Sequence, residues 1–299
     1  MTPVYHIQQP QHCRWAVQQR HQESHLSIDQ GQPAPTAALD DIARQFVDAR
    51  RAGRSLDDFP GTIPADLVTA YQVQDLAIGR WGDAVVGWKV GYIAPERRDA
   101  SGDERLLGPV FARQLWNATG GIVDIPVFSG AGGFAAVEAE YVLRLDADAP
   151  AGKLDWTPAE AAALPARLFT GVEVASSPLA TINVLGPRVV VSDFGNNNGL
   201  VLGTEIVDWT RLDEARLLAR TEIDGGVVGT GGAGNLPGGL RAAYAFALAR
   251  SARRGRPLRR GDLIATGNAT GIHDIAVGQQ AVIRFEGHGE IACRAVAAG

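Results

Sequence analysis

The stretch AAVEAEYVLRL, residues 135–145, constrains this chain more than any other, because two carboxylates lie two positions apart inside what otherwise reads as a buried strand. From Val137 the alternation is strict: Val137, Ala139, Tyr141, Leu143 and Leu145 share one face, while Glu138, Glu140, Val142 and Arg144 share the other. At a rise of about 3.3 Å per residue the two Glu Cβ atoms sit roughly 6–7 Å apart, so both side chains can converge on one ion. A half-exposed strand with a charged outer face has the same pattern, and the stretch alone leaves both readings open.

A third carboxylate favours the ion. In LFTGVEVASSP, Glu173 lies within an apolar strand; Gly171 and Ala175 share its face, and Val172 and Val174 point the other way. Small neighbours leave room around the carboxylate, and a charge in such a run is costly unless it is paired or bound to metal. Glu138, Glu140 and Glu173 together suit a hard cation with oxygen ligands, Mg²⁺ or Mn²⁺. Only His273 and His288 remain in the body of the chain, so zinc chemistry falls behind. Lys89 is the second oddity, mid-strand in AVVGWKVGYI, with Gly87 and Gly91 on its own face. Among apolar residues its pKa is expected to fall, which suits acid–base work or holding a substrate oxyanion; a buried ion pair is the structural alternative.

At 299 residues and 45% hydrophobic, the chain can bury a large core. A net charge of −5 gives no electrostatic case for nucleic acid. The arginines at 250, 253, 254, 256, 259 and 260 follow a helical pattern, LRAAYAFALARSARRG, whose C-terminal end suits cations. Two cysteines, Cys13 and Cys293, make neither a disulfide framework nor a metal knuckle, which fits a reducing compartment. No apolar run reaches the ~18 residues of a membrane span, and the first thirty residues lack a signal-peptide core. The expected setting is cytoplasmic, with no membrane partner.

Residues 1–35 are rich in Gln and His and poor in core-forming residues, and they read as a disordered or loosely attached extension. His6, His12, His21 and His25 match no ligand spacing. Residues 36–83 carry two helical patterns, TAALDDIARQFVDARRAG and PADLVTAYQVQDLAIGRWG. From residue 84 to 299 the chain becomes β-dominated, with short apolar runs in AVVGWKVGYI, RVVVSDFG, GLVLGTEI, DLIATG and QAVIRFEG. Helices are expected at 158–164, 211–218 and 239–253. Too few helices alternate with the strands for a regular βαβ repeat. GVVGTGGAGNLPGG contains a formal G-x-G-x-x-G at Gly229, Gly231 and Gly234, but Pro237 and two more glycines intervene before any helix, so it reads as a loop and not as a dinucleotide motif.

Taken in order, GWKVGY, VEAEYVL, GVEVASS, SDFGNNNGLVLG, GDLIATGNATG and AVIRFEGHGEI resemble the 2-keto-4-pentenoate hydratase group of the fumarylacetoacetate hydrolase superfamily, over a span from near residue 40 to the end. The resemblance implies an α+β fold, a β-rich mixed roll with a helical N-terminal region. It implies Glu138, Glu140 and Glu173 as ligands of Mg²⁺ or Mn²⁺, and Lys89 as the active-site lysine. Asp103, and less directly Glu104, stand where that group has an acidic catalytic residue, and Asp193, Asn196, Asn197 and Thr266 fall in its substrate-contact motifs.

The implied activity is metal-dependent addition of water to a 2-hydroxy-2,4-dienoate, giving a 4-hydroxy-2-oxo acid, as in breakdown of aromatic ring-cleavage products. Alternatives are a 4-oxalocrotonate-type 2-oxo acid decarboxylase, an acylpyruvate-type C–C hydrolase, and a non-catalytic partner subunit of the same fold. A homo-oligomer, and a complex with a pathway enzyme, are further expectations. The sequence departs from the group at Leu106, where a second acidic or polar position is expected, and at Phe194-Gly195-Asn196-Asn197-Asn198, which replaces an Asn-Ala-Ser-Ser-like loop. The N-terminal histidine of the C–C hydrolases has no counterpart.

Overall fold

The apolar stripe Leu39, Ile42, Ala43, Phe46 and Val47 forms the buried face of a helix, α1 (Thr36–Arg51), as its spacing requires. Helix α2 (Leu67–Trp81) starts where the Asp66 side chain accepts the Thr69 N–H and stops at Gly82, whose φ of 75° ends the helix in the left-handed region. The structure is a computed structural model that describes residues 36–299, so the expectation for residues 1–35 lies outside the described residues.

After α2 come β1 (Val85–Tyr92), β2 (Arg105–Phe111), β3 (Leu115–Asn117), β4 (Ile122–Val127) and β5 (Phe134–Leu145). Helix α3 (Pro158–Ala163) leads to β6 (Ala166–Ser177), and the short helices α4 (Ile182–Leu185) and α5 (Pro187–Ser192) lead to β7 (Asn197–Ile206). The chain continues through β8 (Leu218–Ile223), β9 (Gly226–Gly232), α6 (Gly239–Arg253), β10 (Leu263–Ala265), β11 (His273–Asp274), β12 (Gln280–Phe285) and β13 (Gly289–Ala297). One mixed sheet runs β2-β1-β10-β5-β6-β7-β3, with β11 also on β5; a second runs β4-β13-β12-β8-β9. This is the expected β-rich α+β architecture.

Strict alternation divides the large sheet into two faces. Trp88, Val90, Tyr141, Leu143, Val172 and Val174 enter the main core, which also takes Phe46 and Tyr71 of the two N-terminal helices. The opposite face holds a smaller cluster around Val110, Val142, Phe169, Leu200 and Leu263. By the period of two, Lys89, Glu138, Glu140 and Glu173 lie on this second face. β5 is hydrogen-bonded by β10 and β6 on its two sides, so its carboxylates are buried and not on a solvated surface.

Three local expectations are corrected. RVVVS is not a strand: Pro187 at the first helical position, after Gly186 at φ 106°, starts α5, and burial of Val189, Val190 and Val191 overrides their β preference. Residues 211–218 form no continuous helix, because Leu212 is extended and Asp213 instead caps Ala215 between two 3-10 turns. The glycine-rich run is not all loop, since Gly226–Gly232 is the edge strand β9, where a Cβ at Gly231 would collide with the Ala269 carbonyl. No helix among the described residues is long and apolar enough to cross a membrane.

Candidate active site

Register brings the carboxylates together. β5 and β6 pair along their whole length, which sets Glu138 directly opposite Glu173 and Glu140 opposite Gly171. One oxygen from each of the three acids lies within 4.8 Å of the others. Gly171 is needed for this packing, because a Cβ there would approach Val142 Cγ2 to 2.6 Å. Lys89 arrives through β10, which lies between β1 and β5 and pairs Ala265 with both Lys89 and Val142. Its Nζ is 3.1 Å from Glu173 Oε1.

All four groups are buried, Glu140 and Glu173 completely. Gly267 N–H donates to Glu140 Oε2 at 2.7 Å, and Asn197 Nδ2 donates to Glu173 Oε1 at 3.1 Å. The Asn268 side chain lies beside Glu138 and partly offsets the rise in its pKa. Glu140 Oε1 and Glu173 Oε2 have no hydrogen-bond partner. Burial, reinforced by the Glu173 charge, pushes Glu138 up to about 7, and burial with both neighbouring carboxylates raises Glu140 further above its ordinary range. With all three ionised, three carboxylates against one ammonium leave a surplus of two negative charges, and the raised pKa values of Glu138 and Glu140 reflect that cost. Orphaned buried oxygens, like charges face to face and hard oxygen donors together fit one divalent cation.

The expected lowering of the Lys89 pKa is corrected. Burial does oppose its charge, but Glu173, Glu138 and Glu140 face it, and the net shift is upward. The facing carboxylates thus favour its ammonium form.

Beside the cluster lies a cavity of about 210 Å³. Lys89, Tyr92, Arg97, Glu138, Asn183, Asn196 and Asn268 supply its polar lining, and Leu106, Val190 and Ile272 form part of its apolar wall. Asn196 Nδ2 donates to Asn183 Oδ1 at 3.0 Å, while Asn196 Oδ1 is buried without a partner.

The remaining expected residues divide. Asn196 lines the cavity and Asn197 touches the cluster, as described. Thr266 donates to the Tyr141 carbonyl at 2.7 Å and lines a neighbouring cavity together with Gly267 and Asn268. Asp193 is fully buried against Arg50 instead of facing the cavity. Asp103 is also placed apart from the cavity lining: it precedes β2 and pairs with Arg250 of α6. Glu104 is half exposed and pairs with Arg105. Leu106, two residues before Gly108, is the side chain of this segment that reaches the cavity, because Gly108 pairs with Lys89 and alternation puts Leu106 on the same face. Asn183, Gly267 and Asn268 were not singled out from the sequence. GDLIATGNATG contains two of them, but nothing in its period separates them from turn residues, and Asn183 comes from a helix of four residues.

No protein-family model matches the chain. Among solved structures, 4-oxalocrotonate decarboxylase from Pseudomonas putida G7, complexed with calcium and acetate, is similar at TM-score 0.72 and 22% identity, over 88% of this chain and 98% of that one. The same enzyme complexed with magnesium and adipate gives TM-score 0.72 and 21% identity over the same shares. Fumarylpyruvate hydrolase from Pseudomonas aeruginosa, with Mn²⁺ and pyruvate, gives TM-score 0.46 and 18% identity over 70% of this chain and 88% of that one. The chain has the fold of 4-oxalocrotonate decarboxylase, the fumarylacetoacetate hydrolase-type fold that its motifs imply.

Proposed function

We propose that this chain is a divalent-metal-dependent enzyme working through the enolate of a 2-oxo acid, and that its reaction is loss of CO₂ from an unsaturated 2-oxo diacid of the 4-oxalocrotonate kind. One observation carries the choice of reaction: the cavity beside the three-Glu cluster has an apolar wall at Leu106, and Asp103, the expected base, is paired with Arg250 instead. Addition of water needs a base to activate it; decarboxylation needs only stabilisation of developing charge and delivery of a proton. Similarity of fold to a decarboxylase that binds calcium and magnesium supports the same reading.

Glu138, Glu140 and Glu173 would hold the ion, Mg²⁺ or Mn²⁺, whose contribution is Lewis-acid stabilisation of the negative charge developing on the 2-oxygen. Lys89 presents its ammonium at the same cluster and opposes that charge too. Leu106 and Val190, both buried on the cavity wall, would limit water at a departing carboxylate, which disfavours the charged group more than neutral CO₂. The bond to that carboxylate breaks, and its electron pair moves through the conjugated carbons to the 2-oxygen. Lys89 then gives a proton to carbon and regains one from solvent, so one proton is consumed for each CO₂ released.

Hydration of a 2-hydroxy-2,4-dienoate is the second reading, favoured by Asn196 Oδ1, a buried acceptor without a partner that could hold a water in the cavity. Incubating purified protein and Mg²⁺ with 2-oxohex-3-enedioate, and separately with 2-hydroxypenta-2,4-dienoate, decides between them. One CO₂ per turnover from the diacid supports decarboxylation; a 4-hydroxy-2-oxo acid formed from the monoacid, with no CO₂ from the diacid, moves the assignment to hydration.

A further inference from the structure

Arg50 lies on α1, far in sequence from every carboxylate of the cluster, yet its side chain is only 2% exposed and opposite Asp193, which is 0% exposed. Its Nε and Nη2 donate to Asp193 Oδ1 and Oδ2 at 2.5 and 2.9 Å, and its Nη1 donates to Asn198 Oδ1 at 2.9 Å. Nη2 also reaches the Ser176 carbonyl at 3.0 Å. One guanidinium thus grips both ends of the segment 193–198. Between those ends Phe194, Gly195 and Asn196 have φ of 54°, 65° and 56°. Left-handed backbone is unfavourable for a bulky residue such as Phe and persists only where the surroundings enforce it.

What this conformation achieves is placement. Asn196 enters the cavity, and Asn197 donates to the Glu173 oxygen that Lys89 also contacts. The turn packs directly on Gly108, the cross-strand partner of Lys89: a Cβ at Gly195 would lie 2.7 Å from Gly108 Cα, and one at Gly108 would collide with the Phe194 carbonyl. The Phe194 ring sits 5.2 Å from the guanidinium. Lys89, Gly108, the left-handed turn and Arg50 form one continuous stack.

We infer that Arg50 is a positioning residue: by clamping Asp193 and Asn198 it holds the left-handed turn in place, and through Asn197 it orients Glu173 and tunes the affinity of the three-Glu cluster for a divalent ion. This rests on the metal reading of the cluster given above. Without the fork the turn relaxes toward ordinary φ, Asn197 leaves Glu173, and a ligand loses the partner that fixes its orientation. Loss of such outer partners weakens metal binding by about 10–100-fold.

The test uses the full chain and its Arg50→Lys, Asp193→Asn and Asn197→Ala variants. Mn²⁺ affinity is measured by titration calorimetry, and amide hydrogen exchange of residues 194–198 is followed in the metal-free proteins. Arg50→Lys keeps the charge but cannot reach both ends of the segment, and Asp193→Asn keeps the shape. Both are expected to lose about 10–100-fold in Mn²⁺ affinity and to exchange faster at 194–198. Asn197→Ala is expected to lose affinity with its turn still protected. Wild-type Mn²⁺ affinity in Arg50→Lys and Asp193→Asn, with only a lower Tm, would make the ion pair purely structural and overturn the inference. Should Arg50→Lys fail to fold, Asp193→Asn and Asn197→Ala decide it. Failure of the wild type itself to take up Mn²⁺ would overturn the metal reading, and this inference with it, whereas uptake by the wild type with unchanged variants overturns this inference alone.

Discussion

Glu138 and Glu173 stand directly opposite each other on β5 and β6, both buried. Like charges in cross-strand register repel. Lys89 offsets one of them, and the rest of the cluster has unmet demand for positive charge.

Filling that demand should stabilise the fold. A ligand at about 100 times its Kd adds roughly 2.7 kcal/mol to the stability of the state that binds it, so Mn²⁺ is expected to raise Tm by several degrees. Glu140→Gln should remove most of that rise while leaving the metal-free protein as stable as the wild type, since it also removes a buried like charge. Scanning calorimetry with and without Mn²⁺ checks both; an equal rise in wild type and variant would take Glu140 out of the site.

Lys89→Met should destabilise the metal-free protein by about 3–5 kcal/mol, because it strands buried carboxylates without their ammonium. Added Mn²⁺ should recover part of that loss and no turnover. Urea unfolding in the two conditions measures the difference. An identical loss with and without metal would show that Lys89 and the ion do not share the same charge.

Asp103→Asn is expected to lower stability and to leave the rate within about tenfold, far short of the 10²–10⁴ that a general acid or base contributes. Its partner is Arg250, outside the cavity lining. Steady-state kcat on whichever substrate turns over, measured beside Tm, separates the two effects. A loss of several orders of magnitude in kcat at unchanged Tm would return Asp103 to the chemistry.

Cys293 gives a pH dependence. Burial pushes its thiol up to about 12 in the folded protein, whereas an unfolded thiol ionises near its ordinary value of ~8.5. The folded state therefore keeps its proton where the unfolded chain loses it. The stabilisation is complete below about pH 8.5 and falls as pH rises toward 12, by up to about 1.4 kcal/mol per pH unit. Urea unfolding at pH 8 and pH 10 should fall more steeply for the wild type than for Cys293→Ala. Equal slopes would mean that the thiol is not shielded.

Much of the site was legible because a strand repeats every two residues, a local property. That period alone put Glu138 with Glu140, gave Glu173 its small neighbours and set Lys89 between glycines. The resemblance named Asn196 and Asn197, and both reach the cavity or the cluster. The placement of Asp103 was not legible, because it precedes β2, where no period governs direction, and only the tertiary structure pairs it with Arg250 of α6.

What the sequence by itself determined is which side chains share a face, and with it the β-rich α+β class and the chemistry of three carboxylates and a lysine. What only the tertiary structure decided is which faces meet. The β5–β6 register opposes Glu138 to Glu173, insertion of β10 between β1 and β5 brings Lys89 to them, burial turns RVVVS into a helix, and Arg50 of α1 holds the turn that delivers Asn197. Each of these joins segments far apart in the chain, so each depends on packing and hydrogen-bond partners that no local window of sequence contains.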